Sequence, residues 1–167
     1  MNFLFIHQHF PGQFKFLAPE LARQGHDVRA MLMRKVEAPV WQGVRLYPYF
    51  PARGSTPNIQ PWVSDFETKA IRGEACFRAA LAMQKEGYAP DVIIAHPSWG
   101  ESLFIKNVWP QAKLGIYCEY FYREHGGDVG FDPEFETQDD STACRLQMKN
   151  LNYLAHFDLA DAGISPT

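Results

Sequence analysis

An α/β fold is the class this sequence predicts: a Rossmann-like, doubly wound, mostly parallel sheet with helices on both faces. Three observations predict it. Short apolar runs such as Asn2–His7 and Val92–Ala95 alternate with helical periods. The runs are apolar on consecutive residues, as in strands covered on both faces. The segments between them are long enough to act as crossovers, which are right-handed between parallel strands.

The first strand is Asn2–His7, followed by the turn His9-Phe10-Pro11-Gly12. Phe14, Leu17, Ala18, Leu21 and Ala22 then share one helical face. Pro19 fits if the helix begins near Phe16, because a first-turn residue needs no intrahelical N–H partner. Gly25 ends that helix as a left-handed cap. Val28–Met33 is the second strand and Gly43–Tyr49 the third. Prolines and glycine make Phe50–Pro61 an irregular loop, longer than a minimal connection requires. A helix spans about Trp62 to Glu86, with Trp62, Phe66, Ala70, Gly73, Phe77 and Leu81 as its expected buried stripe; Gly87-Tyr88-Ala89-Pro90 stop it.

Val92–Ala95 is the fourth strand, with a short helix expected over about Gly100–Asn107. Leu114–Cys118 is the fifth, and Arg123–Thr137 a second long loop. A helix from about Gln138 to His156 is capped by its acidic start and by Ser141 or Thr142. Asp161-Ala162-Gly163-Ile164-Ser165-Pro166-Thr167 reads as a last short strand followed at once by the terminus.

Composition bounds the function. The chain has 167 residues, enough for one domain with a real core. Its formal net charge of -3, with no Lys/Arg run, gives no reason to expect nucleic acid as a partner. No apolar stretch approaches the roughly 20 residues of a membrane span. The N-terminus has neither a basic leader nor a small-residue cleavage site, so it reads as a strand. Cys76, Cys118 and Cys144 are odd in number and widely spaced, which suits free thiols in a reducing cytosol. The expected location is cytoplasmic, with peripheral contact at the inner membrane face left open.

Motifs exclude several chemistries. His7-Gln8-His9-Phe10-Pro11-Gly12-Gln13 stands where a dinucleotide-binding G-x-G-x-x-G would be. There is no G-x-x-x-x-G-K-[ST], G-x-S-x-G or H-E-x-x-H either. What remains is polar residues at strand ends, where open α/β sheets bind ligands. They are His7 and His9 after the first strand, His96, Ser98 and Glu101 after the fourth, and Glu119, Arg123, Glu124 and His125 after the fifth. Those three strands tend to be neighbours, so their ends can line one cleft. A histidine beside a carboxylate acts as a general base or holds a sugar hydroxyl. His7 and His9 also suit a purely structural role, and the Glu119–His125 cluster also suits a solvated loop. Trp41, Trp62 and Trp99 are expected as packing anchors.

The chain resembles the N-terminal half of a GT-B fold glycosyltransferase of the retaining kind grouped as family 4. The carrying segments are Phe3–Gly12, Leu21-Ala22-Arg23-Gln24-Gly25-His26-Asp27-Val28, the strand Asp91–His96, and Ala160-Asp161-Ala162-Gly163-Ile164-Ser165. The resemblance implies a retaining transferase that moves a sugar from a nucleotide-sugar to a saccharide or lipid-linked acceptor. It implies no tightly bound cofactor and no catalytic metal. It also implies that the chain is the acceptor-side domain, inactive alone, with a donor-binding C-terminal domain in cis. His96 is then expected at the sugar or acceptor, with Glu119 or Glu101 assisting. Gly12 and Gln13 are expected on the donor-phosphate side, and His7, His9, Ser98, Glu101, Arg123 and His125 at the acceptor. Relatives often carry a Gly-Gly pair where this chain has Pro11-Gly12. The alternative is a free-standing, non-catalytic Rossmann-like binding module.

Overall fold

The computed structural model describes residues 1–127, 129 and 139–166. Seven strands form one sheet: β1 (Asn2–Ile6), β2 (Asp27–Leu32), β3 (Val40–Trp41), β4 (Val44–Pro48), β5 (Val92–Ala95), β6 (Lys113–Tyr117) and β7 (Ala162–Ile164). Their order is β3-β4-β2-β1-β5-β6-β7. Every pairing is parallel except the short β3–β4 ribbon. The doubly wound reading therefore holds, and the direction of winding reverses at β1. The strands β1, β5 and β6 are neighbours, as expected.

The apolar runs are continuous because both faces of the sheet are buried. Leu4 and Ile6 of β1 join Met31, Ile93, Ala95, Leu114 and Ile116 on one face, under helix α2 (Pro61–Lys85). Phe5 joins Val28, Ala30, Leu32, Val44 and Ile94 on the other, under helix α1 (Leu17–Arg23) and Phe10 and Phe14 of the turn before it. Helix α3 (Thr142–Phe157) packs beside α2.

Local chemistry sets the helix ends. Gly25 N–H bonds to the carbonyl of Ala22, and His26 N–H to that of Leu21. That is a Schellman ending, with Gly25 at φ +87°. Gly87 and Tyr88 close α2 in the same way, on Gln84 and Met83. At the start of α2, the Gln60 side chain accepts from Trp62 N–H at 2.7 Å and Val63 N–H at 3.2 Å, and Pro61 occupies the first turn. Pro19 sits within the first turn of α1, as required.

The structure corrects four expectations. The buried stripe of α2 is Lys69, Gly73, Cys76, Ala80 and Met83, with Ile71 beside it; Trp62 is 39% exposed and anchors nothing. Of the expected stripe Gly73 is buried, Phe66, Ala70, Phe77 and Leu81 are half-buried, with Phe77 and Leu81 packed against the core, and only Trp62 is exposed. No helix spans Gly100–Asn107: two 3₁₀ turns, Pro97–Trp99 and Ile105–Asn107, take its place. Gly100 at φ +93° lies between them and breaks the helical path. The start of α3 has no side-chain cap from Ser141 or Thr142. Instead Asp139 Oδ1 accepts from Ser141 N–H at 2.9 Å and from its hydroxyl at 2.7 Å. The two-residue strand β3 escapes pattern reading by its shortness. Of the expected Arg123–Thr137 loop and the Gln138 helix start, residues 128 and 130–138 lie outside the described residues.

Candidate functional site

At the carboxyl ends of β1, β5 and β6 four polar side chains form one hydrogen-bonded chain. His96 Nε2 is 2.7 Å from Glu119 Oε2. Gln13 Nε2 donates to the same oxygen at 3.1 Å. Gln13 Oε1 lies 2.7 Å from His7 Nε2.

The backbone assigns the tautomers. His9 N–H points at His7 Nδ1 at 3.0 Å, so that nitrogen accepts and Nε2 carries the proton, which it donates to Gln13 Oε1. Ser98 N–H points at His96 Nδ1 at 3.4 Å, so His96 Nε2–H donates to Glu119. Glu119 Oε2 thus receives two N–H donors from uncharged side chains. Burial holds His7 down to about 4, with its Gln13 hydrogen bond offsetting in part. Burial also lowers His96, against the raising effect of Glu119. Both rings are therefore neutral at pH 7.

Packing fixes these rings. His96, 1% exposed, is flanked by Trp99 at 4.7 Å and Tyr117 at 5.6 Å between centroids. Trp99 also meets His7 at 5.0 Å and His9 at 6.0 Å. Trp99 therefore gathers three histidines into one aromatic cluster. Gly12, at φ +44°, has its backbone directly on the His7 ring.

Helix α3 buttresses the turn after β5 from behind. Asn152 Nδ2 donates to the Pro97 carbonyl at 2.7 Å, and Tyr153 hydroxyl to Ser98 Oγ at 3.1 Å. His156 Nδ1–H donates to the Asn152 carbonyl, so its Nε2 accepts from the Ser102 hydroxyl, each at 2.7 Å. Burial lowers His156 to about 4.

A cavity of about 270 Å³ opens beside the cluster, walled by His96, Ser98, Trp99 and Glu119 and by Tyr120 and Tyr122. Helix α2 adds Asp65, Lys69 and Arg72 to its wall, and α3 adds Lys149. Lys69 is tied to Asp65 at 2.9 Å. Arg72 makes no hydrogen bond or ion pair among the described residues.

The expected site residues divide into three groups. His7, Gln13, His96, Ser98 and Glu119 come together, with Gly12 under His7 and His9 at the exposed edge. Glu101 does not join them. It is 1% exposed, neither carboxylate oxygen has a hydrogen-bond partner, and it lies in the field of Arg72, Tyr49 and Cys76. Burial pushes it up to about 7. It lines none of the cavities described. Arg123 and His125 are exposed beyond Tyr122 and line none of the cavities described. Sequence reading missed Asp65, Lys69, Arg72, Tyr122 and Lys149. Asp65, Lys69 and Arg72 do share one helical face at spacings of four and three, a signal that was open to reading.

Among the described residues, no helix is long and apolar enough to cross a membrane. A family model described as the Glycosyl transferase family 4 group matches residues 24–167. That span contains β5, β6, His96 and Glu119, while His7, Gly12 and Gln13 precede it. No curated protein matches the chain.

Proposed function

The chain belongs to the glycosyl transferase family 4 group, and from that premise we propose that it is the acceptor-side domain of a retaining glycosyltransferase. The full enzyme moves a sugar from a nucleotide-sugar to a saccharide or lipid-linked acceptor, and a second domain in cis holds the donor. The observation that carries this reading is Glu119. Its Oε2 is held by two N–H donors, and it forms part of the wall of a sugar-sized cavity at the sheet's carboxyl end.

In this reading Glu119 Oε1, which has no hydrogen-bond partner among the described residues, accepts an acceptor hydroxyl. Trp99, Tyr120 and Tyr122 offer ring faces to the sugar's C–H surface. His96 belongs to the wall but is 1% exposed, so its work is positioning: its Nε2–H fixes the carboxylate. His7 acts one step further back, through Gln13. A carboxylate locked in this way orients a nucleophilic hydroxyl without reorganising during the reaction. Gly12 and Gln13 then serve the site by building it, with the Gln13 amide engaged at both its oxygen and its nitrogen.

The test is turnover of nucleotide-sugars by the full-length protein. Glu119→Gln is expected to raise the acceptor KM about tenfold, the scale of one lost hydrogen bond to a charged group. Slow donor hydrolysis without acceptor stays as in wild type. His96→Gln is expected to shift the acceptor KM in the same direction. Configuration at the transferred anomeric carbon, read by NMR, reports retention. Indifference of the full-length protein to every nucleotide-sugar would favour a non-catalytic binding module instead.

A further inference from the structure

Two cavities meet at one arginine. Arg72 is part of the wall of the polar cavity beside Glu119 and also of a second cavity of about 300 Å³. The second cavity has a different chemistry. Met33, Phe50, Pro51 and Ile71 supply apolar walls, with Ser55 and Thr68 at their side; Arg53 is also in the wall, but its charge is matched by Glu67. Phe50 is 54% exposed, a large apolar surface left open to solvent. The loop over this cavity is not slack. Glu67 of α2 accepts from Thr56 N–H at 2.8 Å and pairs with Arg53, and Ser55 Oγ lies 2.7 Å from Thr68 Oγ1.

The charges at the junction do not balance: beside the Lys69–Asp65 pair, the one carboxylate of Glu119 faces both Arg72 and Lys149 in the cavity wall, an excess of one positive charge among the described residues. Lys69 is matched by Asp65. Arg72 and, across the cavity on α3, Lys149 have no carboxylate within ion-pair distance among the described residues. Lys149 lies 4.9 Å over the Tyr122 ring, which leaves its charge unneutralised. The buried Glu101 lies in the field of Arg72 but makes no hydrogen bond to it. A half-buried guanidinium without an anion is a docking point for one, and its planar fork suits a phosphate.

Polar cavity, cation and apolar cavity follow one another along the N-terminal half of α2. Resting on the acceptor-side reading above, we propose that the acceptor is an amphiphile in which a phosphate joins a saccharide to an apolar tail. The saccharide occupies the cavity of Glu119 and Tyr122. The phosphate sits at Arg72, with Lys149 adding positive field. The tail lies over Met33, Phe50 and Ile71. Arg72 is then the residue that sets acceptor class, because it reads the one group that separates such an acceptor from a neutral glycoside.

The test uses the full-length protein and three probes that need no knowledge of the sugar: octyl phosphate, inorganic phosphate and octanol. Calorimetry is expected to show octyl phosphate binding at least about tenfold tighter than either fragment, since it gains both a charge-assisted pair and apolar burial. Arg72→Gln is expected to bring octyl phosphate down to the level of octanol. Phe50→Ser should bring it towards inorganic phosphate. Arg23→Gln, an exposed arginine of α1 already paired with Glu20, serves as the control and leaves all three unchanged. Octyl phosphate no tighter than inorganic phosphate, or unaffected by Arg72→Gln, would overturn the proposal. Donor hydrolysis separates the two readings. Hydrolysis without the octyl phosphate preference sinks the amphiphile alone. The preference without turnover of any nucleotide-sugar sinks the transferase reading and leaves an amphiphile-binding domain.

Discussion

Gly12 lies flat on His7: a Cβ at position 12 would stand 2.3 Å from His7 Nε2. The imidazole cannot retreat. It is 2% exposed, pinned by His9 N–H and Gln13, and edge-on to Phe14 and Trp99. Gly12→Ala therefore combines a strained positive φ with a displaced ring, and is expected to cost about 2 kcal/mol in chemical denaturation. In the full-length enzyme the acceptor KM should rise as it does for Glu119→Gln, because the displaced His7 releases Gln13.

The tautomers are directly testable. Nitrogen-15 spectra at pH 7 are expected to show His7 and His96 both neutral with the proton on Nε2, and His156 neutral with it on Nδ1. A protonated His96 at that pH would refute the assignment of Glu119 as an acceptor of neutral donors.

Those neutral rings also give stability a pH slope. His7 and His156 sit near 4 in the folded chain, against 6.5 when unfolded. Between pH 6.5 and 4 the unfolded state takes up protons that the folded state refuses. Stability is thus fully present above 6.5 and falls as pH falls through the window, by about 3 kcal/mol per histidine at most. Denaturation followed across pH, together with proton uptake on unfolding, checks both the sign and the number of protons.

Glu101 slopes the other way. Its folded value near 7 lies above the ordinary 4.5, so the folded state keeps a proton that the unfolded state has lost. Its contribution is complete below 4.5 and is lost as pH rises to 7, by about 3 kcal/mol. Glu101→Gln keeps the shape and removes the titration. The variant is expected to gain stability over wild type progressively from about pH 5 to pH 8; a difference flat with pH would show that the carboxyl is not buried as described.

Gly100 and Gly73 bring the turn after β5 against α2. A Cβ on Gly100 would meet the Lys69 backbone oxygen at 2.7 Å, and one on Gly73 the Gly100 oxygen at 2.9 Å. Each alanine variant should cost about 2–3 kcal/mol. The double variant should cost less than the sum, because one shift of α2 relieves both clashes; a double-mutant cycle measures the coupling.

The sheet was legible because its strands are continuous apolar runs, and runs buried on both faces look alike wherever they occur. The adjacency of β1, β5 and β6 followed from winding rules, and it placed His7, His96 and Glu119 at one end. The inner face of α2 is only partly legible, because apolar character places Phe77 and Leu81 against the core but does not mark the most deeply buried positions. The helix packs through Lys69, Gly73 and Cys76, where small size and an aliphatic lysine stem matter more than hydropathy, while Trp62 faces solvent. The Gly100–Asn107 segment carries enough apolar residues for a helix, but its Leu103 and Ile105 are buried by tight turns instead. The link through Gln13 had no local signature. Its partner Glu119 is 106 residues away in sequence, and only the turn at Gly12 brings them together.

The buttress from α3 has a temporal consequence. The turn after β5 is completed by Asn152, Tyr153 and His156, some 54 to 55 residues further along the chain. During synthesis, β1, β2, β4 and β5 can pair and bury most of their surface well before those residues emerge. The sheet can therefore be native while the binding end is still unformed. During synthesis these contacts wait for the last-made helix, so they close after the sheet does, and as peripheral contacts they can open before it. Hydrogen exchange in the His96–Ser102 backbone then reports docking of α3, and ligand affinity tracks how often that helix is home.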